Sequence, residues 1–277
     1  MQVFRIPQGV LIIKDNIQYL KKIQDWDGFI NKKNLYDALL KDLSTFSVTD
    51  NNDFANGILK PIQNQEIWAS GVTYMRSKEA RMEESKKAGG GSFYDKVYDA
   101  ERPELFFKAT AQRTVGHGGT VRVRKDSHWD VPEPELALFV SSEGTIEGYT
   151  IGNDMSSRSI EGENPLYLPQ AKTYEGCASL GPCLYVPQDP IAPETRIKME
   201  IYRQGDMVFS KDVGIDQIKR KHTELVHFLF LECDFPKGCF LMTGTGIIPP
   251  DDFTLQIGDE IRIHIDAIGT LVNFVGH

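Results

Sequence analysis

Long apolar runs are missing from this chain of 277 residues. Nothing approaches the roughly 18 consecutive apolar residues that a membrane-spanning helix needs, so no such helix is expected. Positive charge is also in short supply. Lys and Arg number 31 against 39 Asp and Glu, a formal net charge of −8, which argues against a nucleic-acid partner, since that partner selects for a basic stripe. Cysteine is scarce: Cys177, Cys183, Cys233 and Cys239 match no common zinc spacing and read as buried or half-buried free thiols. Residues Met1 to Gln8 lack the apolar core of a secretory signal, which makes the cytoplasm the expected compartment. His222 and His227 miss the one-turn spacing of helical metal ligands, and chain order assembles no Ser-His-Asp set. Gly116-His117-Gly118-Gly119 lacks the Gly-Lys-Ser/Thr ending of a phosphate loop and reads as a turn. What is present is a 40% hydrophobic content, ample for a globular core in one large domain or a large and a small one.

Carboxylates carry the clearest chemical signal. Glu133 and Glu135 lie two apart, and in extended chain this spacing puts both on one face. Leu136 to Val140 is an apolar run, Ser141 to Thr145 reads as a turn, and Ile146 to Ile151 returns. With Glu143-Gly144 as a two-residue loop, Glu133 faces Asp154 and Glu135 faces Gly152. A four-residue loop preserves that register, whereas a three-residue loop flips the parity and separates the acids. Three carboxylates on one patch repel unless a cation sits among them, and a hard divalent ion such as Mg2+ takes oxygen ligands while keeping positions open. The competing reading is that Glu133 and Glu135 are solvated strand residues.

Elsewhere the pattern is mainly of strands, with few helices. Residues 1–62 form a small leading region, with a strand at Val10 to Ile13 and a helix over Asn34 to Leu43. Residues 63–277 form the main domain, with Pro61 near its start and strands expected at Ile67 to Val72 and Pro103 to Lys108. Arg76 to Lys87 has good helix formers and is followed by Gly89-Gly90-Gly91. It reads either as an exposed surface helix or as a mobile lid. Ile215 to Glu232 is the best amphipathic helix candidate. Lys172 sits among apolar residues, where its amine is either desolvated for acid–base work or extended into water. Thr243-Gly244-Thr245-Gly246 is either a glycine turn or a set of donors for an anion.

Several of these stretches agree with one family. The segments are Pro103 to Lys108, the Glu-x-Glu at 133–135, Gly148 to Arg158, Lys172, Leu180 to Pro182, Thr243 to Thr245 and Ile268 to Asn273. Over about residues 63–277 the chain resembles the fumarylacetoacetate hydrolase family. That resemblance implies an α+β, mainly β fold of mixed and antiparallel sheets around a central site. It also implies Mg2+ (or Mn2+ or Ca2+) held by Glu133, Glu135 and Asp154. Ala69 to Tyr74, Tyr94 to Thr110, Val115 to Gly118 and Glu163 to Lys172 look most like the family's dehydratases of 2-keto-3-deoxy sugar acids. The hydrolases carry Asn-Tyr-x-x-His-x-x-Glu, whose His–Glu pair activates water. The aligned run here is Thr73 to Ala80, with Ser77 and Ala80 at the dyad positions.

The resemblance thus implies dehydration of a 2-keto-3-deoxy acid, 2,5-dioxopentanoate being the product from a five-carbon substrate. Glu104 and Lys172 would be the catalytic pair, with the order of their proton transfers left open. Val72, Thr73, Tyr74, Lys108 and Thr245 would hold the substrate, and the assembly would be a homodimer or homotetramer. The alternatives are hydrolysis or decarboxylation of an acylpyruvate-type diketo acid, and a metal-binding paralogue without catalysis.

Overall fold

The computed structural model describes residues 1–50, 57–77, 79 and 96–277. Among them the strands are β1 (Gln2–Ile6), β2 (Gly9–Lys14), β3 (Ile17–Lys21), β4 (Ser47–Thr49), β5 (Glu66–Gly71), β6 (Glu104–Thr110), β7 (Thr114–Val115) and β8 (Thr120–Arg122). They continue with β9 (Asp130–Val140), β10 (Ile146–Ser157), β11 (Ala178–Tyr185), β12 (Arg196–Arg203), β13 (Asp206–Gly214), β14 (Cys239–Met242), β15 (Glu260–Ile265) and β16 (Gly269–Gly276). The helices are short: α1 (Trp26–Ile30), α2 (Leu35–Asp42), α3 (Arg158–Glu163), α4 (Leu168–Lys172) and α5 (His222–Leu229). The larger sheet has the order β4-β3-β2-β1-β11-β10-β9-β14-β5-β6, with β7 beside β11. The smaller has the order β13-β12-β15-β16-β8. Mixed, mainly antiparallel sheets with few helices are what the sequence led us to expect.

Alternation explains how the sheets stack. In β12, Ile197, Met199 and Ile201 turn inward while Arg196 and Lys198 face water. The inward set meets Leu136, Leu138 and Val140 of β9 and Ile151 of β10 in one apolar core. The opposite face of the large sheet presents Ala137 and Phe139, covered by Trp26, Phe29, Leu35 and Leu39 of the leading region in a second core. Cys177, Cys183 and Cys239 are buried and Cys233 is exposed, and all four are free thiols. Burial pushes the Cys183 thiol up to about 12.

The central ribbon is β9–β10. Its loop differs from the two-residue turn read from the sequence. Val140 pairs with Ile146, and the Ser141 N–H donates to Thr145 O at 2.9 Å, leaving three residues in the loop. Gly144 at φ +72 supplies the left-handed residue that such a loop needs. Alone, this would have reversed the faces. Glu147 is an extra residue in β10, however, and this bulge restores parity, so that Phe139 pairs with Gly148 and Glu133 with Asp154. The Glu147 side chain accepts from the Leu35 N–H at 2.8 Å, fastening the bulge to the start of α2.

The helix expected over Ile215 to Glu232 is confined to α5. Before it, the chain is held against the strand end of β5: the Lys219 N–H donates to Thr73 O at 2.9 Å and Ile218 bridges Tyr74. The lid reading of Arg76 to Lys87 and the glycine run falls mostly on residues outside those described.

Candidate metal and acid–base site

Parity places the acids. Glu133, Glu135, Ala137 and Phe139 share one face of β9, and the even-numbered residues face the small sheet. Asp154 lies directly across from Glu133. All three carboxylates are buried, at 6%, 1% and 1% exposure, and one oxygen of each lies within 4.8 Å of the others. A buried convergence of oxygen donors fits a hard cation well. The cost without one falls on Glu135: burial first, then repulsion from Asp154 and Glu133, pushes its carboxyl well above the usual range.

Cations arrive from three elements. From β6, Lys108 directs its amine at Asp154 Oδ1 (2.5 Å) and at the carbonyls of Met155 (2.9 Å) and Lys172 (2.5 Å). At the end of α4, Lys172 reaches Glu133 Oε2 (2.9 Å), Asp154 Oδ2 (3.1 Å), Ser156 Oγ (2.5 Å) and Glu161 Oε1 (3.4 Å). Arg158, the first residue of α3, meets Glu133 Oε1 at 2.7 Å. Lys172 is therefore desolvated among carboxylates and does not extend into water. Glu135 is held differently, by the Gly244 N–H, which donates to its Oε2 at 2.5 Å. The anion served by the Thr243–Gly246 turn is this side chain.

Gly244 has φ +92, and a Cβ there would stand 2.0 Å from Thr73 Oγ1 and 3.0 Å from Ser70 O, a backbone atom. Strain and overpacking together predict that Gly244→Ala loses about 2–4 kcal/mol of stability. Denaturant unfolding checks this, and a variant as stable as the parent chain would remove the close-approach argument.

Gly71, Val72, Phe106, Thr245 and Ile248 line a narrow hollow together with Lys172, Arg158, Glu133 and Asp154. Val72 holds φ +54, a strained conformation for a β-branched residue, at the edge of this hollow. Thr73 Oγ1 donates to Thr243 O at 2.7 Å. Burial, Glu135 and Asp216 push the Tyr74 phenol above its usual range, so it remains a protonated donor. Of the five residues expected to hold substrate, Val72 and Thr245 line the hollow, whereas Thr73, Tyr74 and Lys108 are buried but are not among its described wall residues. Glu104 pairs with Gly71, and its carboxylate fills the space a Cβ on Gly71 would need. A wider surface hollow beside Tyr36, Tyr149 and His222 shares none of its described wall residues with this one.

Sequence pattern alone assigns no role to Arg158, Glu161 or Ser156. Arg158 ends the Gly148 to Arg158 segment that carries the family likeness, and Glu161 follows it by one helical turn. That spacing was the available signal.

Fold and site together define a β-rich protein with a buried carboxylate centre that fits a hard cation, flanked by buried lysine amines. The family model described as fumarylacetoacetate (FAA) hydrolase C-terminal matches residues 67–276, and the chain belongs to this family. It is 49% identical over 216 residues to a probable 2-keto-3-deoxyxylonate dehydratase of Haloferax volcanii, covering 78% of this chain and 73% of that one. It is 43% identical over 239 residues to the 2-dehydro-3-deoxy-D-arabinonate dehydratase of Saccharolobus solfataricus, covering 86% and 78%. A solved 2-keto-3-deoxy-D-arabinonate dehydratase complexed with magnesium and 2,5-dioxopentanoate superposes with a TM-score of 0.82 at 35% identity, covering 99% of this chain and 98% of that one.

Proposed function

We propose that the chain catalyses Mg2+-dependent dehydration of a 2-keto-3-deoxy sugar acid, with 2-dehydro-3-deoxy-D-arabinonate giving 2,5-dioxopentanoate and water as the favoured case. The observation that carries this reading is the placement of the Lys172 amine on two of three converging carboxylates, in a hollow that Ser77 also lines. Ser77 does not supply the hydrolases' histidine. Its hydroxyl donates to Tyr74 O at 2.7 Å and accepts from Tyr74 N–H at 3.1 Å, so it is committed to the local turn.

Glu133, Glu135 and Asp154 would hold the metal. When bound, Mg2+ there polarises the 2-keto acid and makes its C3 protons more acidic. Glu104 and Lys172 are the proposed proton carriers. One takes a proton from C3, and the other delivers one to the C4 hydroxyl, which leaves as water because bare hydroxide is a poor leaving group. The unsaturated keto acid then tautomerises, and its C5 carbinol carbon becomes the aldehyde. Val72, Thr73, Tyr74, Lys108 and Thr245 form the proposed substrate-holding wall and its backing. The same reading takes residues 63–277 as the catalytic domain after a small region at 1–62, and the protein as a cytoplasmic homodimer or homotetramer.

Product analysis tests the proposal. Incubation of five- and six-carbon 2-keto-3-deoxy acids with Mg2+ should yield dioxo acids that keep every carbon, and chelation should stop their formation. A shorter acid such as pyruvate in place of these products would replace dehydration with carbon–carbon cleavage.

A further inference from the structure

Two cations of the site divide their charge among carboxylates. Arg158 reaches Glu133 at 2.7 Å and Glu161 at 3.7 Å, and Lys172 reaches Glu133, Asp154 and Glu161. Glu133 and Asp154 belong to the proposed metal centre, whereas Glu161 does not. The Glu161 side chain is 1% exposed, and α3 sets it one turn after Arg158, with the Lys172 amine on its other side.

We propose that Glu161 is a positioning residue: it is the counter-ion that holds Arg158 and Lys172 in place when Glu133 and Asp154 turn to a divalent ion. This rests on the metal reading above. Buried cations and a buried dication repel strongly unless anions balance them. Glu133 and Asp154 give their charge to a bound dication, whereas Glu161 keeps its charge for Arg158 and Lys172. With residue 161 neutral, the loaded site carries one more uncompensated positive charge than it does in the parent chain. Arg158 and Lys172 then compete with the metal for Glu133 and Asp154. The cost therefore falls on metal binding, before any turnover.

Titration of the full chain with Mn2+, followed by the resonance signal of the free ion, provides the test. Glu161→Gln should weaken binding about 10- to 100-fold, the range typical of groups that support metal ligands. Glu161→Asp, which keeps the charge, should stay within about threefold of the parent chain on the same argument. Adding Lys172→Met to Glu161→Gln removes a cation along with the anion and should restore most of the affinity, although the double variant stays as slow in turnover as Lys172→Met. Parent-like binding by Glu161→Gln, an equal loss in Glu161→Asp, or no recovery in the double variant each overturns the proposal. Should Glu161→Gln fail to fold, the double variant carries the test alone, and a loss of about tenfold there overturns it. A parent chain that binds no Mn2+, or binds it no more tightly than Glu135→Gln, sinks the metal reading itself, and this inference with it.

Discussion

Glu135→Gln should lower kcat/KM by about 1,000-fold or more while leaving the fold intact. Glutamine keeps the shape and can still accept the Gly244 N–H, but it withdraws one of three charges from the proposed metal centre. Lewis-acid assistance is worth several kcal/mol, and each 1.36 kcal/mol is tenfold in rate, which sets that magnitude. Stability should move the other way. Burial and two neighbouring carboxylates raise the Glu135 carboxyl well above its usual range. An acid whose pKa is raised on folding is destabilising once pH exceeds its unfolded value, and a neutral amide removes that penalty. The metal-free variant should therefore melt no lower than the metal-free parent near neutral pH, while gaining less than the parent from added Mg2+. Retained turnover in the presence of chelator would rule out the metal mechanism.

Lys172→Met should cost about 100- to 10,000-fold in kcat, the range for loss of a general acid or base. Metal affinity should be unchanged or tighter, because a cation that competes for Glu133 Oε2 and Asp154 Oδ2 has left. The metal-free variant should lose about 3–5 kcal/mol, since removing one partner of a buried ion pair leaves the other charges uncompensated. Added Mg2+ should recover more stability in this variant than in the parent. The opposed directions of metal affinity in the two variants separate ligand from proton carrier. If Lys172→Met loses Mn2+ affinity in proportion to its turnover, Lys172 belongs to the metal centre and the proton-transfer role passes to other residues.

Much of this site is legible in the sequence. Glu133 and Glu135 share a face because side chains alternate in a strand, and Asp154 joins them through antiparallel pairing. The turn reading was nonetheless off by one residue. The three-residue loop and the bulge at Glu147 cancel, and no local propensity announces a bulge that a distant N–H from Leu35 helps to hold. The helix expected from Ile215 shortened for a similar reason. Its first residues are used as a latch on Thr73 and Tyr74, a contact invisible to periodicity.

By itself, the order of residues determined the mainly β architecture, the common face of Glu133 and Glu135 and the family to which the chain belongs. These follow from alternation, pairing and motif, all of which are local or repeat along the chain. Only the tertiary structure decided who neutralises those acids. Lys108, Arg158, Glu161 and Lys172 come from β6, α3 and α4, and their charges meet because the folded sheet brings these elements over one buried face. Charge balance in a low-dielectric interior depends on distances in three dimensions, and spacing along the chain does not encode them.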